Sequence, residues 1–186
     1  MKSKKAAIEL SISTIVIVVL GMSMLILGLV LVKTIFTGAK NVAEMSNDQV
    51  ESEISKLFGE NNKVVVYPSS RQVDVVQGEA SGFGIGIKNL MQSSSANAEF
   101  SYMVTVSDVN VIDKCAGWTA EEVEGLITTG QSETGLSLGT GELYSTTVLF
   151  NTDIGAPLCT VRFKVETKVN NEPYGSPQVM DVTFTA

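Results

Sequence analysis

Hydrophobic and polar positions alternate in three different textures along the chain. From Leu10 to Val32 the sequence LSISTIVIVVLGMSMLILGLVLV holds 23 residues without a charge. At about 1.5 Å of rise per residue such a helix spans roughly 35 Å, enough for a hydrocarbon core about 30 Å thick. The pattern predicts a transmembrane helix over residues 10–33, behind a basic leader over residues 1–9. A cleaved signal peptide is the rival reading, and Lys2, Lys4 and Lys5 supply its basic start. Its apolar stretch should be only about 7–15 residues long and end in a small-residue cleavage pattern, which is lacking before Lys33.

The second texture is helical. Between residues 34 and 62, Val42, Met45, Val50, Ile54 and Leu57 recur at helical spacing among acids and amides, and Gly59 with Asn61-Asn62 gives a stop signal. This predicts an amphipathic connecting helix over about residues 39–58. Its stripe packs either on the following domain or on a neighbouring chain, and buried faces more commonly serve the chain's own core.

The third texture, residues 63–186, has period two. Phe83, Ile85 and Ile87 alternate with glycines. Phe100, Tyr102, Val104 and Val106 form a second such run, Tyr144 to Phe150 a third, and Cys159 to Val165 a fourth. Shorter runs lie at 63–67, 71–76 and 180–184, with Gly, Ser, Asn, Asp and Pro between them. Seven short strands with turn signals predict an antiparallel sandwich of immunoglobulin-like size. Residues 119–127, TAEEVEGLI, break the alternation and read as a short helix capped by Thr119, with Glu122 closing a capping box. The fold class expected is thus one N-terminal transmembrane α-helix with an amphipathic extension, then an all-β ectodomain.

Charge sharpens this division. The 186 residues carry a net charge of −7, but from Thr34 onward nine bases face 19 acids, a net of −10. Lysines before the apolar run orient it with the N-terminus in the cytoplasm and the acidic remainder outside, a single-pass cell-membrane placement. The acidity argues against nucleic acid as a partner. The bilayer is the expected partner, together with other proteins or further copies meeting through the N-terminal helix. Ala7, Thr14, Gly21 and Gly28 recur every seven residues, a stripe along which helices could approach closely. Glu9 stands at the mouth of the span, where the helix dipole favours a carboxylate and Lys5 is one turn away.

Chemistry is sparse. With no His, Ser-His-Asp and Cys-His catalysis and His-ligated metals are excluded. No nucleophile with an evident base replaces them, so no enzyme, cofactor or metal is expected. Cys115 and Cys159 read first as a disulfide in an exported domain, against two buried free thiols or a metal pair; two Cys alone cannot close a zinc site. Gly82–Gly86 has G-x-G-x-G form but lies in a strand with no helix after it, so it is read as strand glycine and not as a phosphate loop. Glu121, Glu122 and Glu124 lack a calcium-loop pattern and read as a solvated face. Lys114, Arg162, Lys164 and Lys168 form no motif.

The string KSKKAAIEL before a long apolar helix resembles the N-terminus of archaeal type IV pilin-like surface proteins. The resemblance implies a leader cut by a membrane peptidase, flanked here by Lys4, Lys5 and Ala6, and implies that Glu9 pairs with a neighbouring subunit's new N-terminus. Many members carry Gly before the cut, and this chain does not. The strand order resembles prokaryotic immunoglobulin-like surface domains at Gly86–Asn89 and at residues 182–185. The function expected is a non-enzymatic, membrane-anchored surface protein, a pilin-like filament or adhesion component. The alternative is an accessory or stator-like subunit of an envelope motility or secretion complex.

Overall fold

The computed structural model describes residues 4–37, 47–92, 98–152 and 155–186, and within the first helix the side chains of residues 14–30. The chain divides into two compact units, Met1–Gly38 and Ala39–Ala186. The first unit holds helix α1, Lys4–Thr37.

The expectation of a single-pass membrane protein is corrected here. Among the described residues no helix is long and apolar enough to cross a membrane. The predicted orientation across a bilayer, which rested on that span, falls with it.

The second unit is mostly β. Its elements are α2 (Asn47–Leu57), β1 (Val64–Tyr67), β2 (Gln72–Val76), β3 (Ala80–Lys88), β4 (Glu99–Val106), α3 (Val111–Lys114), α4 (Ala120–Glu124), β5 (Ile127–Thr129), β6 (Ser132–Ser137), β7 (Leu143–Asn151), β8 (Thr160–Val169), β9 (Glu172–Pro173) and β10 (Gln178–Thr185). One sheet has the order β1-β3-β7-β5; the other runs β2-β10-β8-β4-β6, with β9 paired to β8. Strict alternation builds the layers. In β8, Val161, Phe163, Val165, Thr167 and Val169 are buried while Arg162, Glu166 and Lys168 are exposed. Inward side chains of the two sheets meet in one core, where the Phe150 ring lies 5.2 Å from Phe163 and 5.8 Å from Phe184, both edge-on. Such tilted contacts suit the aromatic quadrupole.

The sheets are not wholly antiparallel as expected. β2 runs parallel to β10, with Gln72 opposite Asp181 and Val76 opposite Thr185. A period of two reports which face a residue takes; it is silent about strand direction and partner. Between β8 and β9, Asn170 (φ 48°) and Asn171 (φ 67°) make a two-residue hairpin turn. A turn of this kind needs positive φ at both central residues, and Asn tolerates it.

Helix α2 covers the outer face of the four-stranded sheet. Asp48 in its first turn and Lys56 in its last complement the helix dipole. Val50 and Ile54 are buried against Val65, with Leu57, Phe58, Tyr67 and Leu143 around them. The stripe therefore packs within its own unit. Gly84 and Gly86 make the close approach possible. A Cβ at Gly84 would lie 2.9 Å from Ile54 Cδ1, and one at Gly86 2.3 Å from Ile54 Cγ2. The residues of the connecting helix predicted over 39–46 lie outside the described residues.

Candidate functional site

Helix α1 presents apolar side chains in every direction. Between Ile15 and Val30 its large hydrophobic residues are 49–77% exposed, Val18 least and Met24 most. Runs of Ile, Val, Leu and Met leave few polar positions, and Ser23 turns its hydroxyl back to donate to the Val19 carbonyl at 2.8 Å. The helix is thereby satisfied in its backbone and unsatisfied in its side chains, since an apolar surface all round is stable only when covered. Thr14, Gly21 and Gly28 lie within it, and a Cβ at either glycine would meet nothing within 4 Å. Lys4, Lys5, Ala6, Ala7 and Glu9 belong to the helical backbone, and their side chains lie outside the described residues.

In the β unit the polar groups gather at one end of the six-stranded sheet. Cys115, closing α3, is joined by a disulfide to Cys159, just before β8, with Cα atoms 5.3 Å apart. Closing 44 residues in this way stabilises the fold by about 4 kcal/mol on the chain-entropy model. Beside the bond is an open cleft of about 550 Å³, lined by Asp108, Lys114, Arg162 and Asp181 among others. Lys114 donates to Asp108 at 2.5 Å, and Arg162 donates through Nε and Nη2 to the two carboxylate oxygens of Asp181 at 2.7 and 2.9 Å. The Lys114 hydrogen bond, helped by the Asn110 backbone N–H, holds the Asp108 carboxyl below its ordinary range. The Arg162 hydrogen bond does the same for Asp181.

The loop between Lys114 and α4 is fixed as its sequence dictates. The Glu122 N–H donates to Thr119 Oγ1 at 3.3 Å, and the Thr119 N–H donates to the Glu122 carboxylate at 2.7 Å. At the other margin of the sandwich, Tyr144 donates its hydroxyl to Glu133 while Tyr102 packs 6.3 Å away. Burial, and then the bond to Glu133, pushes the Tyr144 phenol above its ordinary value. Among the described residues no three His, Cys, Asp or Glu side chains gather where they could hold a metal ion.

Reading the sequence missed the face that β8 creates. Arg162, Lys164 and Lys168 look dispersed in the chain, but even spacing within a strand puts them on one surface. Their positions at i, i+2 and i+6 in an alternating run were the available signal.

No family model and no curated protein matches the chain. Solved structures offer likenesses in shape. One is a Niemann-Pick type C2 protein from the Japanese carpenter ant, 9% identical over 67% of this chain and 90% of that one, with a TM-score of 0.37. Another is the Pseudomonas fluorescens alkylpurine DNA glycosylase AlkC bound to DNA containing an abasic site analog, at 13% identity, 65% and 30% coverage and a TM-score of 0.30. A third is the CooA pilin subunit from enterotoxigenic Escherichia coli, at 8% identity, 67% and 99% coverage and a TM-score of 0.34. A pilin subunit thus stands among the structures this chain is similar to; scores this low carry no argument about what the chain does.

Proposed function

We propose that the chain is a non-enzymatic, pilin-like surface component whose α1 helices associate with those of other copies and whose β unit is displayed by the assembly. The exposed apolar surface of α1 carries this reading: seventeen consecutive residues, from Thr14 to Val30, are exposed. Burying such side chains yields on the order of 1.5–3 kcal/mol each, a driving force that association with like helices satisfies. The disulfide in the β unit suits an oxidising compartment. In this reading Lys4, Lys5 and Ala6 flank a processing cut, and Glu9 pairs with the new N-terminus of an adjacent copy.

The test uses the full chain, with Leu20→Lys and Leu27→Lys together placing charge in the helix. Sedimentation and electron microscopy should show multimers for the parent and at least a tenfold loss of assembled material for the variant, with the near-UV dichroism of the β unit unchanged. A parent that stays monomeric, or a variant that assembles equally well, sinks the proposal. N-terminal sequencing of the mature protein checks the cut: a start at Lys5 or Ala6 supports processing, and an intact Met1 or Lys2 refutes it.

A further inference from the structure

Both margins of the four-stranded sheet carry backbone that no strand pairs. The order β1-β3-β7-β5 makes β1 one margin. β5 covers the other only in part, because it meets β7 at Leu149 and Phe150, and Gly130 then closes on the Thr147 carbonyl. The phase of the hydrogen bonds shows which groups are left over. The Asn89 N–H donates to the Glu142 carbonyl at 3.0 Å, in register with the pairs of β3 and β7. Residues along an antiparallel strand bond to alternate sides, so Tyr144 and Thr146 bond β3 while Leu143 and Ser145 turn N–H and C=O outward. On the other margin the Lys88 N–H donates to the Lys63 carbonyl at 2.9 Å, so Val65 and Tyr67 bond β3 while Val64 and Val66 face outward. Among the described residues no strand lies against these outward groups.

Such an edge invites another strand unless a bulge, a charge or a proline spoils it. β6, an edge of the other sheet, is spoiled: its register with β4 breaks between Phe100 and Tyr102, and Gly135 takes φ 72°. β7 is not. Its pairing with β3 is unbroken from Ala80 to Lys88, and its uncovered stretch, Leu143–Thr146, holds neither charge nor Pro. A cleft of about 400 Å³ runs beside it, lined by Ser145, Thr146 and Thr147 with Val50 and Glu51 of α2. The three valines of β1 bury their side chains, so that margin offers backbone. A cleft of about 270 Å³ lies along it, lined by Val64, Val65 and Val66 with Asn62, Arg71 and Gln178.

We infer that the uncovered stretch of β7 pairs with β1 of a second copy, so that the four-stranded sheet continues from copy to copy. Two observations name the occupant. The first is geometry. Free N–H and C=O groups along an edge take an extended backbone, and the chain itself carries a matching edge. β1 is as long as the uncovered stretch and, since both strands are antiparallel to β3, it runs in the same direction as β7. Copies set side by side in one orientation therefore join β7 to β1 as a parallel pair. The second is charge. Glu51 is the charged wall of the cleft by β7, and Glu142 is exposed where that strand begins. Along β1 the charged walls are Arg71 and Lys63, the latter with its ammonium over the Tyr174 ring, and neither has an ion pair among the described residues. Lys88 lies between the margins, opposite both Leu143 and Lys63. Glu53 is taken up by Lys56, so Glu60 alone offsets the two bases and the β1 margin keeps a positive surplus. β7 and β1 are different patches, so the contact is head-to-tail and can repeat along an open assembly. It uses residues separate from α1 and goes beyond the helix association proposed above.

The experiment places a photoreactive phenylalanine at Thr147 in the full chain, and in a parallel sample at Leu20. Support is a chain-to-chain adduct from position 147 that maps to residues 62–71 of the second copy. Ser145→Pro removes one outward N–H and leaves the bonds to β3 whole, and should lower that yield about fivefold or more. Ser145→Lys keeps the N–H but sets a charge on the margin, and should lower the yield as well with the near-UV dichroism unchanged, which guards against misfolding as the cause. Adducts from Leu20 with none from position 147 overturn this inference and leave the helix reading standing. Adducts from 147 with none from Leu20 do the reverse. Adducts from 147 to β7 of the second copy, or only to other proteins, or a yield indifferent to both Ser145 variants, also overturn it.

Discussion

The two sheets of the β unit treat their outer faces in opposite ways. On the four-stranded sheet, β3 gives up side chains at Gly84 and Gly86, and α2 settles into the space with Ile54 wholly buried. On the six-stranded sheet, β8 fills the equivalent outward positions with Arg162, Lys164, Glu166 and Lys168, of which Lys164 is half-buried and the others exposed. One face is closed by subtraction and the other kept open by long charged groups. The open sheet is held instead by a covalent brace at its end, the Cys115–Cys159 bond. Stability and exposure are thus supplied by different parts of one sandwich.

This contrast can be broken at its strongest point first. Replacing both cysteines, Cys115→Ala with Cys159→Ala, should lower unfolding free energy by about 4 kcal/mol in urea denaturation, and treatment with reductant should reproduce most of that loss. A change under about 1 kcal/mol would show that the open sheet needs no brace. Next comes the covered face. Ile54→Ala should cost about 3 kcal/mol, as a fully buried aliphatic side chain does. Met103→Ala on the open face should stay within about 0.5 kcal/mol. Equal costs for the two would erase the distinction between covered and open. The smallest effect is in acid. Asp108 and Asp181 are held below their ordinary values in the folded state, so their contribution is present above that ordinary range and is lost as pH falls through the folded values. Urea midpoints followed from roughly pH 5 to pH 2 should show a drop in the parent that is reduced in Asp181→Asn. Both carboxylates line an open cleft, so screening by water keeps the drop small.

Much of the fold is written locally. Phe83, Ile85 and Ile87, or Val161, Phe163 and Val165, declare a half-buried strand through alternation alone, and all are fully buried. The Thr119–Glu122 cap is equally local, set by two residues three apart. What escapes such reading is set at a distance or lacks contrast. β6, SETGLS, is an edge strand exposed on nearly every residue, so no apolar period marks it. The purpose of the β3 glycines depends on Ile54, thirty residues earlier, arriving at 2.3 Å from where a Cβ would be. The charged row of β8 is invisible until the strand is known to be one, since Glu166 interrupts its bases in the linear sequence. For α1, composition declares an apolar helix, yet among the described residues no helix is long and apolar enough to cross a membrane.

The parallel pairing of β2 with β10 has a consequence in time. Gln72 finds its partner in Asp181, more than a hundred positions later, while β10 itself is wedged between β2 and β8. A ribosome delivers β2 long before that neighbour exists. During synthesis Val73 and Val75, both fully enclosed once the chain has folded, wait on an unmatched strand. The six-stranded sheet is therefore completed late and non-locally, and the nascent chain passes through an interval in which β2 is open to mispairing.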